Sequence, residues 1–254
     1  MKKDIFNLSG KVAIVSGASR GIGESTARLL AAYGAHVICS SRKLDGSGAV
    51  AEAILKEGGK ATALVCHVGE VTAIDAFAAE VEKQFGRVDI LVNNAAANPY
   101  FGHVLDTPLD AMEKTIDVNV RGFFYMSQKI GQIMKRQGGG SIVNTASING
   151  VSPGMFQAIY SVTKAAIINM TQAFAKECAP HKIRVNAVLP GITDTKFASA
   201  LVKNDQMLKT FLPNVPMQRV AHPDEIAPAI LFLASDAASY VTGSCITADG
   251  GYLA

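Results

Sequence analysis

No stretch of this sequence reaches the roughly 18 consecutive apolar residues that mark a membrane-spanning helix, although 49% of its residues are hydrophobic. That fraction is enough to bury a sizeable core instead. The four cysteines, Cys39, Cys66, Cys178 and Cys245, lie far apart and form no C-x-x-C pair. Scattered thiols in an apolar setting read as buried side chains rather than disulfides or zinc ligands. The five histidines form no H-x-x-x-H pair, so no metal site is predicted. A formal charge of +3 without any Lys/Arg block argues against nucleic acid as a partner, while its weak positive excess suits an anionic cofactor. The opening MKKDIFNLSG lacks the apolar run and cleavage site of a secretory signal, and the closing GGYLA is no peroxisomal tripeptide. A cytoplasmic protein without a membrane partner is expected.

What the sequence does contain is alternation. KVAIVS (11–16), AHVICSS (35–41), KATALVC (60–66), VDILVN (88–93), SIVNTA (141–146), IRVNAVL (183–189) and SCITA (244–248) read as strands. Between them stand segments of helical period, such as ESTARLLAAYG, AIDAFAAEVEKQFG and PDEIAPAILFLASDAA. Apolar strands without polar alternation imply burial on both faces, as in a parallel sheet. The fold class is therefore α/β, a doubly wound Rossmann-type sandwich of seven parallel strands with helices on both faces. No linker, repeat or low-complexity tract interrupts residues 1–254, and α/β folds of this length occur as one domain. GGG (138–140) reads as a helix-to-strand turn, and the irregular stretch at about 190–222 as a lid over the carboxyl end of the sheet.

SGASRGIG (16–23) follows the first strand and opens the first helix. Gly17, Gly21 and Gly23 permit a sharp turn and close approach of a phosphate. The helix amino terminus behind them offers free N–H groups and a partial positive charge. The candidate cradle is Gly17, Ser19, Arg20, Gly21, Ile22 and Gly23. The second strand ends Ser40-Ser41-Arg42-Lys43, with no acid to bind adenosine ribose hydroxyls. Arg42, with Arg20 reaching the same corner, suits a 2′-phosphate through a planar fork of charge-assisted hydrogen bonds. NADP(H) is the predicted cofactor, with Ser41, Arg42, His67 and Val68 at its adenosine end.

YSVTK places Tyr160 and Lys164 four apart, hence on one face of a helix. A lysine charge that close favours the phenolate and lowers the phenol's pKa. Ser147 ends the fifth strand in NTASING, Asn119 sits in TIDVNVRG, and NNAA (93–96) closes the fourth strand. With the glycine loop, PGITDT (190–195) and the terminal ADGGY, these motifs resemble the short-chain dehydrogenase/reductase family over essentially the whole chain.

The resemblance implies a catalytic tetrad of Asn119, Ser147, Tyr160 and Lys164. Tyr160 would exchange the proton with the substrate oxygen, and two or three units of pKa depression would bring it near working pH. Lys164 would also bind the nicotinamide ribose, Ser147 would donate to the substrate oxygen, and Asn119 would hold a relay water. Asn94 and Ala95 would lie along the cofactor, and Gly191, Thr193 and Thr195 would contact its nicotinamide end. A homotetramer is also implied, pairing the stretches 107–136 and 157–179 across one two-fold axis and the last helix and strand across another.

His67 stands where the family usually has an aspartate at the adenine edge, and Ala96 where glycine is usual. VCHVGE and NNAAANPYFG are similar to the NADP-dependent carbonyl reductase/retinol dehydrogenase branch typified by dehydrogenase/reductase member four. Substrate-pocket candidates are Asn98, Pro99, Tyr100, Ile148, Asn149, Phe156 and Gln157, with Phe197, Leu201, Met207, Phe211 and Leu212 from the lid. Their apolar character favours a hydrophobic ketone or aldehyde, although the lid residues could equally pack the lid down. One alternative is a 3-oxoacyl-[acyl-carrier-protein] reductase, with Lys129, Lys135, Arg136 and Lys176 as a landing patch. The other is a non-catalytic NADP(H)-sensing protein.

Overall fold

Seven apolar runs become seven strands: β1 (Val12–Ser16), β2 (His36–Ser41), β3 (Lys60–Val65), β4 (Ile90–Asn93), β5 (Gly140–Thr145), β6 (Ile183–Pro190) and β7 (Cys245–Ala248). The computed structural model describes residues 4–198, 202 and 205–254. All strand pairings are parallel, and the sheet order is β3-β2-β1-β4-β5-β6-β7. β1 and β4 are wholly buried, as expected of central strands covered on both faces. The order reverses between β1 and β4, and a crevice opens outside the carboxyl ends at such a switch point.

The helices are α1 (Gly21–Ala32), α2 (Leu44–Lys56), α3 (Val71–Phe85), α4 (Leu109–Ile116), α5 (Gly122–Gln137), α6 (Ala158–Cys178), α7 (Asp205–Phe211) and α8 (Pro223–Ala234). Leu30 of α1, Ile54 of α2 and Ile230 of α8 close one face of the sheet. Ile74 and Val81 of α3 with Met126 and Ile130 of α5 close the other. Truncating a side chain as buried as Ile230 to alanine costs about 2–5 kcal/mol. No helix among the described residues is long and apolar enough to cross a membrane.

Two local features differ from the sequence pattern. α2 forms despite Gly46, Ser47 and Gly48, which weaken a helix. A Cβ on Gly46 would stand 2.8 Å from the Ser19 Cβ, so glycine lets α2 lie against the phosphate loop. The helical stretch from Leu109 to Gln137 is interrupted at Asp117–Arg121 by a π turn. Such turns are frequent at functional sites, and this one carries Asn119.

The 190–222 segment does leave the carboxyl end of the sheet. Thr193 bridges to Ala221 and closes the base of the loop. Phe211 stacks on Tyr252, with ring centroids 5.1 Å apart, so it packs the loop down rather than facing the crevice. Leu201, proposed for the pocket, lies outside the described residues, as does the side chain of Met207.

Candidate active site

The loop after β1 and the loop after β4 meet at the switch point. Ser16 Oγ accepts from the N–H groups of Asn94 (2.9 Å) and Ala95 (3.1 Å), and Asn94 Nδ2 donates to the Ser16 carbonyl at 3.1 Å. Gly17 has φ +67, and a Cβ there would stand 2.9 Å from Ala95 Cα. A Cβ on Gly23 would overlap the Gly17 carbonyl oxygen and stand 2.6 Å from Asn94 Nδ2. Packing alone thus requires glycine at positions 17 and 23. Arg20 is the N-cap of α1 without a side-chain cap, which leaves the first-turn N–H groups of Gly21, Ile22 and Gly23 available. Thr195 lies across this turn, its Cγ2 3.0 Å from where a Gly21 Cβ would be. Gly191 packs on Asp249 and Thr193 is buried beneath.

Arg20 and Arg42 are both exposed, and among the described residues neither has a carboxylate or hydrogen-bond partner. Ser41 Oγ is turned toward the Lys43 carbonyl (2.5 Å) and Ser47 Oγ (3.1 Å), which shapes the turn carrying Arg42. A groove of about 530 Å³ runs outward from there, lined by Arg42, Leu64, Cys66, His67, Glu70 and Phe77. His67 Nδ1 accepts from Gly69 N–H at 3.2 Å, so the neutral ring carries its hydrogen on Nε2. Val68 is buried, its carbonyl against Gly122. A glycine cradle that admits no side chain, free helix N–H groups and two unpaired guanidiniums fit a dinucleotide with an extra phosphate.

Beyond the cradle, α6 starts one residue after Gln157 and carries Tyr160 (8% exposed) and Lys164 (1% exposed). Lys164 Nζ lies 5.3 Å from the Tyr160 ring centroid and 5.5 Å from that of Phe123, and donates to the Thr145 carbonyl at 2.7 Å. Ser147, the N-cap of a short turn, accepts from Asn149 N–H at 3.1 Å. Burial raises the Tyr160 phenol well above its ordinary value, and hydrogen bonding by Ser147 opposes that rise. The expected depression by Lys164 is therefore overturned for the protein by itself. Burial also acts on the lysine and lowers its ammonium from 10.5 to about 7, because a low-dielectric site disfavours either charged form.

Asn119 is fully buried, and its side-chain amide is bonded to protein groups. Its Oδ1 accepts from Ala97 N–H (2.8 Å), while Nδ2 donates to the Ala97 carbonyl (2.9 Å) and to Thr163 Oγ1 (3.0 Å). Both amide hydrogens are used, so the side chain fixes the segment after β4 rather than offering a donor to water.

The pocket candidates divide into groups. Asn98, Asn149 and Gln157 converge, with Asn98 Nδ2 donating to Gln157 Oε1 at 3.3 Å. Phe156 adopts φ +62, a strained value for a bulky residue. Gly102 N–H holds its carbonyl at 3.0 Å, and its ring lies 5.9 Å from Phe101. Phe197 leans on the Tyr160 ring at 5.6 Å. Tyr100 turns its hydroxyl to the His103 carbonyl, and Ile148 is buried. Exposed Val151 and Met155 beside Phe156 were not anticipated; neither fits a helical or strand period. Phe123 beneath Lys164 was equally invisible, since it reads as one more core residue of α5. Two of the four residues of the supposed landing patch are ion-paired, Lys129 with Asp75 (2.7 Å) and Arg136 with Glu82 (2.5 Å).

Comparison with known proteins agrees with this geometry. A family model described as Enoyl-(Acyl carrier protein) reductase matches residues 17–253. Human (Homo sapiens) dehydrogenase/reductase SDR family member 4 is 37% identical over 244 residues, which is 96% of this chain and 88% of that protein. A short-chain type dehydrogenase/reductase from Mycobacterium marinum is 38% identical with a TM-score of 0.93, covering 98% of both chains. A gluconate 5-dehydrogenase from Burkholderia cenocepacia J2315, in complex with NADP and tartrate, is 31% identical with a TM-score of 0.95, again over 98% of both chains. Sheet order, sequence and near-complete overlap with these proteins agree: the chain belongs to the short-chain dehydrogenase/reductase family of oxidoreductases.

Proposed function

We propose that the chain is an NADP(H)-dependent oxidoreductase that interconverts a ketone or aldehyde and an alcohol, with Tyr160 as the acid/base group. The observation that carries this reading is a buried phenol and a buried ammonium 5.3 Å from its ring centroid, with Ser147 acting on the phenol. When bound, the dinucleotide supplies or accepts the hydride. Tyr160 gives its proton to the oxygen of the reduced carbon. Burial keeps the phenol protonated at neutral pH, the form an acid requires. Ser147 donates to the same oxygen and stabilises charge as it develops. Lys164 is anchored by Thr145 and Phe123 and has further N–H donors for the nicotinamide ribose. Asn119 acts as a positioning residue by holding Ala97.

The preference for NADP(H) rests on Arg20, Arg42 and the absence of an acid at the end of β2. The NADP in the Burkholderia enzyme supports it. A homotetramer in the cytoplasm completes the proposal, supported by exposed Ile116, Phe124 and Val162 on α4, α5 and α6. The test is NADPH oxidation with ketones, aldehydes, dicarbonyls and an acyl-carrier thioester. Turnover of free carbonyl compounds above the thioester is expected. Tight NADPH binding without oxidation by any of them would leave a nucleotide-sensing protein instead.

A further inference from the structure

Three amide side chains from the segments flanking Ser147 and Tyr160 converge, and one of their polar atoms is buried without a partner. Asn98 follows Ala97, which Asn119 pins on both its backbone groups. Gln157 is the N-cap of α6, three residues before Tyr160. Asn149 is tied through its N–H to Ser147 Oγ. A Cβ on Gly154 would stand 2.8 Å from Asn149 Nδ2 and 3.1 Å from Gln157 Nε2, so both amides close over that glycine.

Within this cluster the one hydrogen bond between amides is Asn98 Nδ2 to Gln157 Oε1, at 3.3 Å. Asn98 Oδ1 is buried without a partner. Gln157 Nε2 and Asn149 Nδ2 have no protein acceptor among the described residues. Turning both Asn98 and Gln157 amides over would keep one bond between them and orphan the other end of each. An unpaired buried amide oxygen is rare in a folded protein and points to a missing partner. The group that serves either orientation is one that both donates and accepts, a hydroxyl.

We propose that the Asn98–Gln157 amide pair is a hydroxyl-recognition subsite, and that the substrate is a ketone carrying a hydroxyl on the carbon next to the reacting carbonyl. Gln157 caps α6 three residues before Tyr160, a spacing that sets the two side chains on neighbouring parts of one face and suits a hydroxyl on the adjoining carbon. Phe101 lies against Phe156, and Phe197 against the Tyr160 ring, and these partly exposed apolar rings suit a substrate whose far end is hydrocarbon. This assignment rests on the carbonyl–alcohol activity proposed above and narrows its substrate class from hydrophobic ketones to α-hydroxyketones.

A matched pair of ketones tests it: 2-hydroxyacetophenone, and propiophenone, in which a methyl replaces the hydroxyl. kcat/KM is measured for both with NADPH in the wild type, in Asn98→Leu and in Gln157→Leu, and NADPH binding by fluorescence reports folding. Leaving one buried amide unpaired is expected to make the wild type favour the hydroxyketone by about tenfold to a hundredfold. Leucine at position 98 should reduce that ratio at least tenfold. Because the two ketones differ in intrinsic reactivity, the change of ratio between proteins is the readout. If Asn98→Leu does not fold, Gln157→Leu reads the same ratio. Both ketones slowed equally by the variants would mean that the amides only join two loops, which overturns the hydroxyl assignment and leaves carbonyl reduction standing. Failure of the wild type to reduce any carbonyl compound would overturn both.

Discussion

Replacing Lys164 with methionine should make the protein more stable near neutral pH, and the gain should shrink as pH rises. In the fold the ammonium titrates at about 7 against 10.5 when unperturbed. Its depressed folded pKa means that the unfolded chain binds more protons between pH 7 and 10.5, so stability rises with pH across that window. The penalty for burying Lys164 is fully present below pH 7 and lost as pH approaches 10.5. A shift of this size corresponds to about 5 kcal/mol near pH 7, falling by about 1.4 kcal/mol per pH unit above it. Tyr160 is held protonated in the fold, whereas the unfolded phenol ionises near pH 10, so its opposing slope begins above about pH 9 and is common to both proteins. Methionine loses the bond to the Thr145 carbonyl, at about 1–3 kcal/mol, but that loss does not depend on pH. Guanidinium unfolding of both proteins, without dinucleotide and at one protein concentration, measures the difference. Wild-type stability should gain about 2–3 kcal/mol on Lys164→Met between pH 7 and pH 9. Parallel pH curves would refute the claim that a buried ammonium strains this site.

Two further substitutions probe the dinucleotide groove. Arg42→Ala should weaken NADPH binding about tenfold to a hundredfold, the loss of one or two charge-assisted hydrogen bonds, and leave NADH binding unchanged. Titration of both nucleotides by fluorescence decides it, and equal losses would contradict a 2′-phosphate contact. Gly23→Ala places a Cβ against the Gly17 carbonyl and Asn94 Nδ2, and should destabilise the fold by about 1–3 kcal/mol through overpacking. It should also raise the NADPH dissociation constant at least tenfold. Wild-type affinity in a folded Gly23→Ala protein would mean the loop is not the cradle.

The strands were legible because burial on both faces leaves uninterrupted apolar runs, as in Ile90–Asn93. Site residues at strand ends were legible for a related reason: turns there require glycine, asparagine and serine, whose chemistry differs from that of the core. Tertiary context hid the rest. Gly46 lowers the helix propensity of α2, and only the fold shows Ser19 against it. The π turn at Asn119 leaves no mark on a helical period, and Ala97, which it holds, lies 22 residues upstream. The direction of the Tyr160 shift depends on how much water the fold removes, whereas spacing reveals only the neighbouring lysine. Lys129 and Arg136 read as free charges until α3 brought Asp75 and Glu82 to them.

The proton role of Tyr160 is tested most directly by Tyr160→Phe in a single turnover, with NADPH already bound and a carbonyl substrate added. The ring remains to fill its place against Phe197, so nucleotide affinity should stay within about threefold of wild type. The rate of NADPH oxidation should fall at least about a thousandfold, the scale of general acid catalysis. A rate within tenfold of wild type would contradict the account.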